Sequence, residues 1–236
     1  MRRSHTDHPQ ETIAALYEIS RAITSEMYLD DILKLIVAVT AQLMGSKICS
    51  IMLVDEKTGT LPIRATQAMS REYLSKPPLK IGEGIVGEVA QNGRPAIVYD
   101  VRKEPRYRYR DLAVREHIVS MLSVPMMVRG RIIGILNTYT SRPHRFTTNE
   151  IEILSSIANQ AAIAIENTEL MVKTRVIQEE LESRKKVERA KGILMRTERI
   201  SEEEAYERMR KFSMDSRKSM REIADAIILA DEVKTR

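Results

Sequence analysis

The chain has 236 residues, of which 43% are hydrophobic, so it can form the core of one large domain or of two ordinary ones. Lysine and arginine number 38 against 33 aspartate and glutamate, a mildly basic balance that permits a nucleic-acid partner without requiring one. One cysteine, Cys49, excludes a disulfide framework and a four-cysteine zinc site. With no signal peptide and no long apolar run, a cytoplasmic protein without membrane contact is predicted.

Apolar residues at helical spacing predict two helices after a short N-terminal tail, residues 1–11. The second helix follows Asp30 and Asp31 and ends at Gly45, since acidic residues favour a helix start and glycine favours its end. The apolar positions are Leu16, Ile19 and Ile23 in the first helix and Ile32, Ile36, Val39 and Leu43 in the second. The chain is therefore predicted to begin with two helices.

Strand-like segments follow in pairs that are separated by turn residues, which predicts two β-hairpins. The paired segments are residues 48–54 with 61–68, around the turn 55–59, and residues 121–128 with 131–139, around Arg129-Gly130. Between the hairpins we predict short helices at 71–76 and 85–92, short strands at 79–81 and 95–99, and a long charged connection at 100–120. The fold class is therefore α+β, with mostly antiparallel strands flanked by helices.

Residues 82–87 read G-E-G-I-V-G and match the G-x-G-x-x-G fingerprint of dinucleotide-binding folds. Glu83 would place negative charge against a pyrophosphate, and the chain lacks the repeated βαβ units of such folds. We therefore interpret these glycines as a tight turn that leads into a packed helix.

Catalytic and metal-binding motifs are not found, so no enzyme and no metal site are predicted. His5 and His8 lie in the tail, and neither His117 nor His144 has a second histidine at metal-ligand spacing. The charged connection nevertheless offers polar side chains that could contact a small ligand. These candidate ligand contacts are Asp100, Arg102, Asp111, Arg115 and His117, with a solvated surface loop as the alternative.

A long helix is predicted after Thr147, because Thr147 and Glu150 form a capping box and no proline or glycine follows until Gly192. The pattern allows one long helix or two abutting ones. Its apolar positions are Ile151, Leu154, Ala158, Ala161, Ile165, Thr168 and Val172, followed by a shifted seam at Leu170, Ile177 and Leu181. We predict a dimerising coiled-coil connector over residues 148–187. The alternative for its first half is a helix that packs back on its own domain.

The last part of the chain predicts a three-helix unit. Ser201 with Glu204 and Ser219 with Glu222 form two more capping boxes, each followed by an amphipathic helix. On a helical wheel, a basic stripe with a gap at its centre lies opposite an apolar face. The stripe is Lys185, Arg189, Gly192 and Arg196, and the apolar face is Val187, Ala190 and Leu194.

Gly192 needs an explanation, because a glycine inside a helix costs about 1 kcal/mol relative to alanine. Its place in a basic stripe suggests close approach by a phosphate backbone or by a partner protomer. Arg217 and Lys218 add positive charge just before the last helix, near backbone N–H groups that favour phosphate. An ordinary solvated face is the alternative.

Residues 12–168 resemble a GAF domain. The resemblance lies in I-G-E-G-I-V-G-E-V at 81–89, R-I-I-G-I-L-N at 131–137 and F-T at 146–147, followed by the helix from Glu150 to Ile165. The resemblance implies a sensor domain with a small-molecule ligand or another signal. The Asn-Lys-Phe-Asp-Glu signature of cyclic-nucleotide-binding members is absent. Cys49 lies in the first predicted strand and not in the charged connection, where bilin-linking cysteines of GAF domains lie. Members that reduce free methionine sulfoxide need several cysteines, and this chain has one. No covalent chromophore is therefore expected, and the cofactor is left unassigned.

Residues 174–236 resemble an ANTAR domain, on V-E-R-A-K-G-I-L-M at 187–195, S-E-E-E-A-Y at 201–206 and R-K-S-M-R-E-I-A at 217–224. ANTAR domains are three-helix RNA-binding modules that, as dimers, hold a two-hairpin element in nascent transcripts so that the terminator cannot form. The resemblance places Ala190, Lys191, Gly192, Ser201, Ala205, Arg217 and Ser219 at motif positions. Together with Lys185, Arg189, Arg196 and Lys218 they form the predicted RNA-binding set.

The combined resemblance implies a homodimeric GAF-ANTAR regulator of transcription antitermination that binds tandem RNA hairpins in response to a signal. Two alternatives stay open. A DNA-binding regulator could end in a helix-turn-helix, although the join at residues 214–218 is longer than such a turn and has no glycine. A redox or haem sensor could act through Cys49 or His117.

Overall fold

The computed structural model describes residues 13–14, 17–21, 28–67 and 70–234. The chain divides into two compact units, Met1–Thr168 and Glu169–Arg236, called here the sensor unit and the C-terminal unit. The tail predicted at residues 1–11, and positions Leu16 and Ile23 of the first predicted helix, lie outside the described residues. Residues 17–21 are helical, and Ile19 is fully buried.

Five antiparallel strands form the main sheet of the sensor unit. They are β1 (Ile48–Leu53), β3 (Ile63–Thr66), β5 (Ala96–Val98), β6 (Ser120–Val128) and β7 (Arg131–Thr140), in the order β3-β1-β7-β6-β5. A small second sheet pairs β2 (Thr60–Leu61) with β4 (Leu79–Lys80). Both predicted hairpins are confirmed. The β6–β7 turn places Arg129 at φ 51° and Gly130 at φ 79°, as a two-residue hairpin turn with the twist of the sheet requires.

Helices cover both faces of the sheet. They are α1 (Leu29–Leu43), α2 (Arg71–Leu74), α3 (Gly84–Asn92) and α4 (Arg110–Arg115). Successive strand residues point to opposite faces, so Ile51 joins the core under α1 and Met52 joins the core under α3 and α4. The predicted charged connection thus contains a short helix, α4, which buries Leu112 and Ala113.

Close packing explains the glycines of residues 82–87. Gly82 and Gly84 have φ values of 83° and 64°, which favour glycine. Gly87 is packed against the backbone, because a Cβ built on it would lie 2.5 Å from the carbonyl oxygen of Lys80. The tight turn and packed helix inferred from the sequence therefore account for all three residues.

One continuous helix, α5 (Thr148–Glu198), follows the sheet. Its capping box forms as predicted, with Thr147 N donating to Glu150 Oε2 over 2.7 Å and Glu150 N donating to Thr147 Oγ1 over 3.3 Å. Seven apolar residues of its first part are buried in the sensor core: Leu154, Ile157, Ala158, Ala161, Ala162, Ala164 and Ile165. The first half of the helix therefore packs on its own domain, which is the alternative that the sequence had left open.

The C-terminal unit contains the rest of α5 together with α6 (Glu202–Ser216) and α7 (Met220–Lys234). Both predicted capping boxes are present at Ser201 and Ser219. The buried core of these three helices is formed by Ala190, Ile193, Met209, Ala224 and Ile228. The join between α6 and α7 is only residues 217–219, shorter than predicted, because α6 continues to Ser216. Its length therefore does not argue against a helix-turn-helix.

Candidate nucleic-acid interface and sensor cavity

Gly192 faces outward from the three-helix core. Its neighbours Ala190 and Ile193 are buried, whereas Gly192 is exposed. A Cβ built on Gly192 would meet no atom of the described residues within 4 Å. Packing inside the C-terminal unit therefore does not require a glycine at this position, as the helical wheel had indicated.

The basic side chains around Gly192 are exposed and held by surface ion pairs. Arg189 Nη2 lies 2.8 Å from Glu232 Oε1, and Arg196 Nη2 lies 2.8 Å from Asp231 Oδ2, both on α7. Lys185 pairs with Glu182 on its own helix over 3.2 Å, and Lys186 joins Asp225 of α7 over 2.7 Å. Exposed pairs contribute about 0 to 1 kcal/mol, so phosphates can replace these carboxylates at little cost in stability.

Lys191 differs from the other basic residues of the predicted set, because its side chain is only 10% exposed. Its Nζ lies 2.8 Å from Glu188 Oε1 and 2.7 Å from Glu202 Oε1, so it links α5 to the first turn of α6. Hydrogen bonds to Glu188 and then to Glu202 raise the pKa of Lys191. Lys191 therefore holds two helices together in this structure, and its contact with RNA stays a prediction.

Replacing Lys191 by glutamate should consequently act through folding. Three carboxylates would then meet at the α5–α6 contact, and we expect the C-terminal unit to lose about 2 to 3 kcal/mol of its free energy of unfolding. Urea unfolding followed by circular dichroism measures this loss, with Lys185→Glu as the exposed control on the same helix. The raised pKa of Lys191 means that its contribution is complete below about pH 10.5 and is lost as pH rises further. Equal stability of the two variants would contradict this role.

Four other motif residues also have structural roles. Ala190 and Ala205 are fully buried, so neither can touch RNA in this conformation. The Ser201 and Ser219 hydroxyls accept hydrogen bonds from Glu204 N and Glu222 N, at 3.2 and 3.3 Å. These four residues build the bundle, and their contact with RNA stays a prediction.

Arg217 and Lys218 lie exposed in the α6–α7 turn, and their side chains form no ion pair within the described residues. Arg217 has φ 55°, a left-handed conformation that is uncommon for a residue with a side chain. The Glu222 carboxylate already accepts hydrogen bonds from Ser219 N and Oγ at the start of α7. A phosphate at this turn would therefore be held by the two cationic side chains rather than by free backbone N–H groups.

The predicted ligand contacts of the sensor unit do not converge on a cavity. Asp100 forms a local pair with Arg102 at 2.8 Å, and Arg115 pairs with Glu72 at 3.0 Å. Hydrogen bonding by Arg102 lowers the pKa of Asp100. Asp111 and His117 are exposed. Contact of these residues with a ligand stays a prediction, with the solvated surface as its alternative.

A cavity instead lies on the α3–α4 face of the sheet, where the sequence interpretation placed no contact. Residues from separate elements enclose it: Met52, Lys76, Leu79, Gly84, Ile85, Val86, Tyr107, Arg108, Tyr109 and Tyr139. Of the lining tyrosines, Tyr139 is 1% exposed and Tyr107 is 7% exposed. The tyrosines of a Y-R-Y segment at 107–109 and of β7 were visible in the sequence, but only the fold brings them to Lys76.

Cys49 is fully buried in the sensor core, and burial raises the pKa of its thiol far above the usual range. A protonated, inaccessible thiol is a poor redox sensor. Across the described ranges, no three His, Cys, Asp or Glu side chains lie together as a metal site would need. In the same part of the chain, no helix has the length and apolar character to cross a membrane.

Two families match the chain at the positions of its two units. The GAF domain family matches residues 26–166, and the ANTAR domain family matches residues 175–228. Both are sensor and regulatory domains rather than catalytic ones. The match confirms the resemblance that the motifs had indicated.

The curated relatives are distant. A Nif-specific regulatory protein of Herbaspirillum seropedicae is 23% identical over 77% of this chain and 36% of its own length. A protein described as phosphoenolpyruvate-dependent phosphotransferase system, from Escherichia coli, is 25% identical over 67% of this chain and 21% of its own length. The chain thus spans about a third or less of these relatives.

Solved structures share the fold of the sensor unit. The GAF domain of a phosphoenolpyruvate-protein phosphotransferase from Coxiella burnetii has a TM-score of 0.64 at 24% identity, covering 71% of this chain and 99% of that chain. A free methionine-R-sulfoxide reductase from Neisseria meningitidis has a TM-score of 0.60 at 20% identity, covering 70% and 96%. At these identities the likeness concerns the fold alone.

Proposed function

Because this chain belongs to the GAF domain family and ends in an ANTAR domain, we propose that it is a signal-responsive, RNA-binding transcription antiterminator. The sensor unit receives the signal, and the C-terminal unit binds two adjacent hairpins in nascent RNA so that the terminator hairpin cannot form. Such a regulator works in the cytoplasm, where transcripts are made.

The observation that carries this proposal is the outward-facing Gly192 between Arg189 and Arg196. A helix backbone without a side chain at this point can approach a ribose-phosphate chain closely, while the flanking guanidinium groups pair with phosphates. Sequence is then read from unstacked loop bases, as proteins generally read RNA. Arg217 and Lys218 extend the cationic surface from the α6–α7 turn.

A homodimer is part of the proposal, because residues 169–182 of α5 are exposed on all sides of the helix. A helix segment of this length is marginal in water unless something packs against it. Leu170, Thr174, Ile177 and Leu181 follow spacings of four, three and four, which is the a/d pattern of a two-stranded coiled coil. We assign this stripe, called the seam below, to contact with a second copy of the chain.

Substitution of Gly192 tests the RNA surface. Gly192→Ala should stabilise the C-terminal unit by about 1 kcal/mol, because the site is open and alanine favours the helix. If RNA approaches this backbone, the same variant should bind a two-hairpin RNA more weakly, and Gly192→Leu should bind at least about tenfold more weakly, a loss of roughly 1.4 kcal/mol. Gel-shift titration measures both affinities.

Met195→Leu is the matched control, since it lies on the same helix and keeps an apolar side chain of similar size. Unchanged affinity in Gly192→Leu would remove Gly192 from the interface. Competition with duplex DNA separates the proposal from a DNA-binding regulator: displacement of the RNA by equal concentrations of duplex would favour the helix-turn-helix alternative. A colourless protein whose RNA binding is unaffected by Cys49→Ser excludes the haem and thiol alternatives.

A further inference from the structure

The two arginines on either side of Gly192 reach across to the same place on α7. Arg189 Nη2 lies 2.8 Å from Glu232 Oε1, and Arg196 Nη2 lies 2.8 Å from Asp231 Oδ2. The arginines are separated by about 10.5 Å along α5, yet their partners are consecutive residues in the last turn of α7. The two guanidinium groups therefore converge on α7 from the two sides of Gly192.

A third ion pair extends this contact between the helices. Lys186 Nζ lies 2.7 Å from Asp225 Oδ1, one and a half turns before the other two carboxylates. The three carboxylates are called the acidic row here: Asp225, Asp231 and Glu232. The arginine side chains remain 59% and 67% exposed. RNA can therefore reach these arginines, but each of them already has a carboxylate partner.

A polyanion that approaches Gly192 consequently meets carboxylates as well as guanidinium groups. A phosphate placed on an arginine replaces the carboxylate, which then turns to water. A phosphate that misses the arginines lies beside the acidic row instead, where like charges repel. The exposed Arg217 and Lys218 have no such partners among the described residues, so they attract any phosphate.

We infer that the acidic row determines the specificity of the RNA surface around Gly192, because it favours an RNA whose phosphates match the arginine positions over one that is merely negative. The inference rests on the proposed function and deepens it. A matched RNA exchanges carboxylates for phosphates, whereas an unmatched strand forms fewer pairs and keeps the repulsion. The row thus lowers the affinity for every RNA and lowers it most for an unmatched one.

Removing charge from the acidic row tests the inference in the full-length protein. Asp225→Asn combined with Glu232→Gln should raise the affinity for a scrambled single strand of equal length about tenfold, and that for the two-hairpin RNA at most about threefold. These carboxylates are 46% and 54% exposed, so the melting temperature should hardly change. Gel-shift titrations measure the ratio of the two affinities. If the double variant melts earlier, Glu232→Gln alone provides the same test with one charge.

Glu203→Gln combined with Glu207→Gln is the matched control. These two carboxylates lie four residues apart on the outer face of α6, and Glu207 pairs only with Arg210 of its own helix, over 3.3 Å. The control removes the same formal charge from the same unit. It should change both affinities by the same factor, so the ratio should stay at its wild-type value.

The salt dependence of binding adds a readout that a purely structural role of the row would not move. A carboxylate displaced by RNA takes up a cation, which cancels part of the counterion release. Without it, the plot of log K against log salt for the two-hairpin RNA should become steeper by about one unit per carboxylate removed. The control variant should keep the wild-type slope.

Two results would overturn the inference. One is an unchanged affinity ratio in the variant of Asp225 and Glu232. The other is a loss of affinity for the two-hairpin RNA, because the ion pairs would then build the surface instead of competing for it. Either can occur in a protein whose wild type prefers the two-hairpin RNA, and the proposed function then stands. A wild type that binds both RNAs equally would remove the proposed function and the inference together.

Discussion

Replacing Leu170 and Ile177 together by aspartate is expected to convert the protein from a dimer into a monomer and to weaken its binding of two-hairpin RNA by about 100-fold or more. Four carboxylates would enter the seam of the dimer, where charge is unfavourable without a partner. A monomer can no longer bind the second hairpin as a step linked to the first. The loss of this linked step is the reason for the large expected decrease in affinity. Sedimentation velocity and gel-shift titration on the same samples measure the two effects.

Val172→Asp is the matched control for the seam. Val172 is also an exposed apolar residue, 59% exposed, but it lies two residues from Leu170 and therefore on nearly the opposite side of the helix. It should leave both the dimer and the RNA affinity unchanged. If the double variant sediments as a dimer, or if Val172→Asp alone dissociates it, another surface joins the two copies.

Gly87→Ala is expected to destabilise the sensor unit by about 3 kcal/mol. The added methyl group would lie 2.5 Å from the Lys80 carbonyl oxygen and 3.0 Å from Gly82 backbone atoms. Backbone, unlike the end of a flexible side chain, cannot move aside cheaply, so α3 must shift from the turn against which it packs. Urea unfolding, followed separately for the two units, should show the loss in the sensor unit alone.

The same chemical change at Gly192 provides the internal comparison. Both glycines are helical, yet alanine has open space at Gly192 and is blocked at Gly87. The two variants should therefore change stability in opposite directions. If Gly87→Ala leaves the free energy of unfolding of the sensor unit unchanged, the close approach does not constrain this turn. Packing alone would then not explain the glycines of residues 82–87.

Local chemistry explains which features were predictable. The capping boxes at Thr147, Ser201 and Ser219 and the turn at Arg129-Gly130 depend on residues within a few positions of each other, and all are present in the structure. Helical periodicity likewise placed Gly192 opposite the buried Ala190. These features need no knowledge of distant parts of the chain.

Long-range pairing explains the rest. The predicted ligand contacts were charged residues of one surface segment, whereas the cavity combines Lys76, Tyr107 and Tyr139 from three separate segments. Lys191 matched an RNA-binding motif by position, but its Glu202 partner lies eleven residues away on another helix. The length of the α6–α7 join also depended on where α6 ends. The sequence of residues 214–218 does not by itself reveal that end point.

The sequence by itself determined the two-family architecture, the hairpins, the helix caps and the outward direction of Gly192, because short-range geometry and periodicity encode them. Only the tertiary structure decided that the first half of α5 belongs to the sensor core, that Lys191 links two helices, and that Lys76 lies against the rings of Tyr73 and Tyr109. Those outcomes depend on desolvation and on charge partners, and both are set by residues that meet only in the folded chain.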